Sequence, residues 1–170
     1  MKQNGTVKVL FVCLGNICRS PTAHGVFEQL LERQGLSHLV EVDSCGTGDW
    51  HVGEAPDRRA SLEAGKRGYD LSSLRARQLD AGDFGRFDYI LCMDRMNLAE
   101  LQSLCPESYS GYLGLFLPFA IDATAEEVPD PYYGGADGFS HVLDLVEAAS
   151  EGLLRAIRRA QETGCADPAR

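Results

Sequence analysis

A cysteine and an arginine with five residues between them, Cys13 and Arg19, carry the clearest chemical signal in this chain, and Ser20 and Pro21 stand directly behind them. The guanidinium of Arg19 is a planar fork matched to phosphate oxygens. Gly15 lets the intervening backbone turn its N–H groups inward as a nest for an anion. Leu14, Asn16, Ile17 and Cys18 complete the loop, which is long enough to wrap one phosphate-sized anion and return Arg19 to it. A cysteine at a helix N-terminus beside a fixed cation ionises at roughly pH 3.5–7.5, so Cys13 is expected as a thiolate nucleophile aimed at phosphorus. Taken alone, Cys13 would read as an inert buried thiol at a strand end. The residues behind it favour the nucleophile. The loop is not an ATP-binding one, because no G-x-x-x-x-G-K-[ST] pattern is present.

The elements that must position this loop are legible around it. Val9, Leu10, Phe11 and Val12 form a continuous apolar run into Cys13, the pattern of a strand buried on both faces. Ser20 suits a helix N-cap and Pro21 the first helical position, with an apolar stripe at Val26, Phe27, Leu30 and Leu31 up to Gly35. Cys13 therefore ends a central strand and the loop leads into a helix N-terminus, where an open α/β sheet places its ligand and the helix dipole favours an anion.

Expelling an alkoxide or phenolate from phosphate also needs a proton donor. Asp130 is the candidate, because Pro129 and Pro131 fix the backbone on both sides of it. Asp-Pro is also a common turn dipeptide, and only the pairing with the Cys13 loop favours the acid. Beside a bound dianion the carboxyl group is expected to hold its proton, and then to take one from water in a second step. Tyr132 and Tyr133 follow it, and Trp50 lies in another long loop; aromatic walls on both sides of a phosphate cradle would sandwich an aryl ring. One of the two tyrosines is equally read as a surface residue packed on its neighbours. Asp94, at the end of an apolar strand, is placed to hold the loop or Arg19, and Asn16 and Ser44 have polar side chains able to brace the loop. Arg59 and Arg77 read equally well as surface ion pairs.

With these residues in view, the chain resembles the low-molecular-weight protein tyrosine phosphatases. The resemblance rests on CLGNICRSP from Cys13 and DPYYG at Asp130–Gly134, with further matches at SCGTGDW (Ser44–Trp50), ARQL (Ala76–Leu79) and FDYILCMD (Phe87–Asp94). It spans about Val7 to Thr163. It implies hydrolysis of phosphotyrosine through a phosphocysteine, a sheet of strand order 2-1-3-4, positioning roles for Asn16 and Ser44, and no cofactor or metal. It also favours a reversible disulfide between Cys13 and Cys18, where spacing alone leaves Cys18 equally a small filler at the helix base. Three residues depart from the family pattern: Leu74 stands where many members carry a histidine that joins the bracing network, His24 where glutamate is usual, and Cys45 where alanine is common. Leu74 is expected to have a modest effect on rate. An arsenate reductase relay needs a further cysteine where this chain has Ala99. A phosphoarginine phosphatase carries threonine in place of Ile17, whose bulk favours phosphotyrosine. A phosphate-binding module without catalysis would lack Cys13, Arg19 or Asp130.

The rest of the chain agrees with one soluble domain of 170 residues, its core at about 7–163 and a short flexible C-terminal tail. Apolar residues make up 44% and charged residues 24%, and the net charge of −9 comes with no basic tract, which argues against nucleic-acid or anionic-membrane partners. An anionic substrate must then be drawn in by local positive charge; phosphotyrosine proteins are the expected partners, and inorganic phosphate or other oxyanions the expected inhibitors. Neither a transmembrane run nor a signal peptide is recognisable. Six dispersed cysteines without paired metal-ligand spacing suit a reduced cytoplasm. Strands are expected at Val40–Cys45, Tyr89–Met93 and Tyr112–Leu117, and helices at Thr22–Gln34, Asp57–Arg67, Arg95–Leu104 and Phe139–Thr163. Their alternation implies right-handed βαβ units, hence an α/β three-layer sandwich with a parallel sheet and helices on both faces. The stretch from Pro118 to Gly138 is too long for an idle connection.

Overall fold

The computed structural model describes residues 5–163, so the expected tail and Cys165 lie outside the described residues. The chain runs β1 (Val7–Cys13), α1 (Arg19–Arg33), β2 (Val40–Gly46), α2 (Arg58–Lys66), α3 (Asp83–Arg86), β3 (Tyr89–Cys92), α4 (Arg95–Leu104), β4 (Tyr112–Leu115), a single 3₁₀ turn at Leu117–Phe119, and α5 (Ala136–Thr163). The four strands form one parallel sheet in the order β2-β1-β3-β4, with Cys13 opposite Gly46 and Val12 between Cys45 and Cys92.

Alternation along β1 divides the core in two. Val7, Val9, Phe11 and Cys13 face a layer made by α1 and α5, where Phe27, Val142, Val146 and Leu153 are buried. Leu10 and Val12 face the other side, with Phe84 of α3 and Leu101 of α4. Cys13 and Cys45 therefore belong to opposite faces, although their strands pair. β1 is apolar on both faces because both are covered.

Helix ends follow local chemistry. Gly35 and Gly68 take φ of +69° and +87° just beyond α1 and α2, where other residues would be strained. Asp57 caps α2 by accepting the Arg59 main-chain N–H. Helix α1 departs from expectation. It begins at Arg19, and Ser20 is not its N-cap: Cys18 occupies that position, and no side-chain cap bond is made there among the described residues. The Ser20 hydroxyl is drawn instead toward the Cys13 sulfur and the Cys45 carbonyl. Pro21 falls in the first turn, where its missing N–H costs nothing. α5 starts at Ala136, three residues before the sequence pattern shows it, and β4 ends at Leu115 where the chain turns into the 3₁₀ segment. No described helix is long and apolar enough to cross a membrane.

Candidate active site

The loop from Cys13 to Arg19 joins the C-terminal end of β1 to the start of α1 and curls around the Cys13 sulfur. The Asn16 main-chain N–H donates to Cys13 Sγ at 3.3 Å, and Ser20 Oγ lies 3.1 Å from the same sulfur. Asn16 makes the turn in the left-handed region, φ +58°, a conformation asparagine tolerates better than most residues. Its side chain is held at both ends: Nδ2 donates to Ser20 Oγ at 2.7 Å, and Oδ1 accepts the Arg77 main-chain N–H at 3.0 Å. Gly46 crosses so close beneath the loop that a Cβ there would meet the Leu14 carbonyl at 2.7 Å.

Arg19 is 3% exposed and stretched along the floor of the site. Its Nη1 donates to Asp94 Oδ2 at 2.6 Å and to the Val128 carbonyl at 3.1 Å, and its Nη2 is 3.8 Å from Asp130 Oδ2. Burial works against its charge, but Cys13, Asp94 and Asp130 outweigh burial and raise its pKa above the usual arginine value. Asp94 is itself fixed as the N-cap of α4, in a capping box with Asn97. Asp130 accepts the Tyr132 main-chain N–H at 3.0 Å and keeps 42% of its side chain exposed toward the pocket.

One pocket gathers Cys13, Leu14, Gly15, Ile17, Cys18 and Arg19 with Trp50, His51, Asp130, Tyr132 and Tyr133. Asn16 and Ser20 lie behind its wall, 3% and 0% exposed. Trp50 lies over Gly48 so closely that a Cβ at Gly48 would meet the indole at 2.0 Å. Tyr132 packs edge-on against Tyr133, centroids 5.0 Å apart, while the Arg59 guanidinium sits over Tyr132 and Phe139. Tyr133 is 94% exposed, so it reaches the pocket from its rim. Burial pushes the Cys18 thiol up, and the nearby Asp57, Cys13 and Asp130 add to that.

Three arrangements depart from the sequence reading. Ser44 Oγ makes its hydrogen bond with His24 Nδ1, at 2.9 Å, and reaches the loop only through the neighbouring Cys45 carbonyl. Leu74 packs against the apolar core, and the acceptor on Asn16 is served by the Arg77 main chain. Arg77 is more than a surface ion pair: its guanidinium grips the fully buried Asp83 with two hydrogen bonds and also reaches Asp43. Arg59 is closer to the simple reading, paired with Asp57 although stacked on the aromatic wall. His51, in the pocket wall and hydrogen-bonded to Glu54, carries no motif signal that singles it out. The Val128 carbonyl is likewise invisible in sequence, because any residue could supply it.

The family model "Low molecular weight phosphotyrosine protein phosphatase" matches residues 8–163. The low molecular weight protein-tyrosine-phosphatase of Streptomyces coelicolor is 46% identical over 160 residues, covering 92% of this chain and 97% of that protein. Among solved structures, an Entamoeba histolytica protein tyrosine phosphatase with Hepes in its active site superposes with a TM-score of 0.88 at 39% identity, covering 92% of this chain and 99% of that one. A drosophila arginine phosphatase superposes with a TM-score of 0.84 at 31% identity over 89% of this chain and 98% of its own. Strand order, family model and relatives agree along almost the whole described chain, which belongs to the low-molecular-weight phosphotyrosine protein phosphatases, a family of hydrolases.

Proposed function

We propose that the protein removes phosphate from phosphotyrosine in proteins and from small aryl phosphates through a phosphocysteine at Cys13. The observation that carries this reading is the convergence of Cys13 Sγ, the Arg19 fork and the Asp130 carboxyl group on one pocket. The phosphoryl group enters the loop with its oxygens facing the loop N–H groups and Arg19. The Cys13 sulfur attacks phosphorus, the P–O bond to the aryl group breaks, and protonated Asp130 gives its proton to the departing oxygen. A water then attacks the phosphocysteine while the Asp130 carboxylate takes its proton; the S–P bond breaks and phosphate leaves. Between these steps the protein's work is positioning and charge stabilisation.

Trp50, Tyr132 and Tyr133 form the walls that receive the aromatic ring of the substrate. Ile17 is 8% exposed and packs with Cys18, Ala60, Ala76 and Phe139, so the space beside the loop is filled by hydrocarbon. That filling favours a flat aryl ester over phosphoarginine. Inorganic phosphate and other oxyanions are expected to compete for the loop. A cytoplasmic setting would keep such a thiol reduced. The test is hydrolysis of p-nitrophenyl phosphate by the wild type and by Cys13→Ala, with phosphotyrosine and phosphoarginine peptides compared at equal enzyme. Activity surviving in Cys13→Ala would overturn the reading, and faster turnover of phosphoarginine would overturn the substrate class.

A further inference from the structure

We infer that His24 is a positioning residue for this site, acting through Ser44 to hold the start of α1 in register with the end of β2. Its ring is almost fully enclosed, with only 9% of the side chain exposed, and both ring nitrogens are engaged. Nε2 meets the carboxylate of Glu28 one turn further along α1, and Nδ1 lies 2.9 Å from Ser44 Oγ on β2. A carboxylate only accepts, so Nε2 donates to Glu28, and Nδ1 shares the second hydrogen bond of the ring with the Ser44 hydroxyl. One imidazole thus links Glu28 on α1 to Ser44 on β2.

The position of His24 on α1 connects this chain of bonds to catalysis. Ser20 and His24 are four residues apart, so they share one face of the helix, and each reaches β2: Ser20 Oγ to the Cys45 carbonyl at 3.3 Å, His24 to the adjacent Ser44. The first two turns of α1 are thus tied to β2 at successive points. The Ser20 hydroxyl has one proton, which is shared between the Cys45 carbonyl and the Cys13 sulfur at 3.1 Å. When Ser20 turns its proton to the Cys13 sulfur, its tie to β2 is released and the His24–Ser44 bond is the one that remains. Arg19 belongs to the same turn as Ser20. Tilting that turn would move the fork and the hydroxyl together relative to Cys13, and misplacements on the order of 1 Å cost up to about a hundredfold in rate.

This assignment rests on the phosphatase reading of Cys13, so its test carries one readout that needs no turnover. His24→Leu, of similar bulk, is expected to lower kcat for p-nitrophenyl phosphate about tenfold with KM changed less than about twofold. Alkylation of Cys13 by iodoacetate is expected to slow in that variant by a similar factor. His24→Asn keeps a hydrogen-bonding atom at the place of Nδ1 and is expected to recover most of both rates, whereas His24→Gln is not. Ser44→Ala is expected to match His24→Leu, and the double variant to be no worse than either. Equal rates for the Leu and Asn variants, or additive losses in the double variant, would overturn the assignment, because a packing role does not discriminate between them. Should His24→Leu fail to fold, Ser44→Ala with wild-type kcat and wild-type alkylation overturns it equally. A wild type that does not hydrolyse the substrate would sink the phosphatase reading, while unchanged alkylation across the variants would sink the role of His24.

Discussion

Arg19 and Asp94, 75 positions apart in the chain, meet through a 2.6 Å hydrogen bond from Nη1 to Oδ2, and the same carboxylate caps α4 through Oδ1 at 2.8 Å from the Asn97 N–H. One side chain therefore ties the arginine of the phosphate loop to the helix behind β3. Asparagine can also cap a helix but carries no charge to hold a guanidinium. Asp94→Asn is expected to leave the melting temperature almost unchanged and to lower kcat about tenfold by loosening Arg19. A matching drop in thermal stability would show the residue to be mainly a cap.

Arg19→Lys removes the fork while keeping the charge. An ammonium is a point donor and cannot serve two phosphate oxygens and Asp94 in one plane. The expected loss is about a hundredfold or more in kcat, the order seen when one preorganised donor to a developing charge is deleted. Steady-state kinetics with near wild-type kcat would show that this loop does not use a two-pronged grip.

The central strand is legible in the sequence because burial on both faces forces an unbroken apolar run, and the loop because Cys13, Gly15 and Arg19 must be those residue types. What escapes the sequence depends on partners brought from elsewhere. Helix α3 is four residues long, too short for any periodicity, and Asp83 is buried there only because Arg77 and Arg86 reach it. Arg77 braces Asn16 with its main-chain N–H, which every residue but proline possesses. Ser20 has the composition of a cap, yet in the folded chain the helix has already begun at Arg19 and the Ser20 oxygen accepts instead from the Asn16 side-chain amide brought round by the loop. His24 looks like a simple departure from the family pattern until β2 is placed against α1.

The Asp83 carboxyl group gives the fold an acid-sensitive point. Burial alone would raise its pKa, but hydrogen bonds from Arg77, the Asp80 main-chain N–H and Arg86 outweigh burial and hold it below the ordinary carboxylate value. A depressed pKa in the folded state means that the unfolded chain takes up the proton first on acidification. The stabilisation is therefore complete above the unfolded value of about 3.9 and is lost as pH falls through the lower folded value. Asp83→Asn is expected to cost about 3 kcal/mol at neutral pH, the lower end for breaking a buried pair because Arg77 is partly exposed and can still reach Asp43. The difference in urea midpoint between wild type and variant should shrink below pH 4. A difference constant from pH 7 to pH 3 would place the acid sensitivity elsewhere.

Asp130 is expected to reveal its role through the leaving group. A phenol of high pKa needs a proton as it departs, and an acidic one such as p-nitrophenol needs it less. Asp130→Asn should therefore lower kcat/KM for phosphotyrosine by about a hundredfold or more and have a smaller effect on p-nitrophenyl phosphate, in line with the usual range for general acid catalysis. Measured over a series of aryl phosphates, the dependence on leaving-group pKa should steepen in the variant. Equal losses along the series would leave Asp130 as a binding residue only.

Cys13 and Cys18 face the same pocket. Burial, with Asp57, Cys13 and Asp130 nearby, keeps Cys18 a protonated thiol, so peroxide is expected to act on Cys13. Oxygen transfer from peroxide to the Cys13 sulfur gives the sulfenic acid and releases hydroxide; attack by the Cys18 sulfur then forms the disulfide and releases water. Two equivalents of an external thiol reverse it. Peroxide should thus inactivate the wild type in a way that dithiothreitol restores and that bound phosphate slows. Cys18→Ser should hydrolyse p-nitrophenyl phosphate before treatment but lose activity permanently after it, because the sulfenic acid proceeds to sulfinic acid with no second thiol to intercept it. Mass spectrometry of the oxidised wild type reads the linkage directly. A peptide map without the Cys13–Cys18 bridge would leave Cys18 as packing among Ile17, Ala60, Ala76 and Phe139.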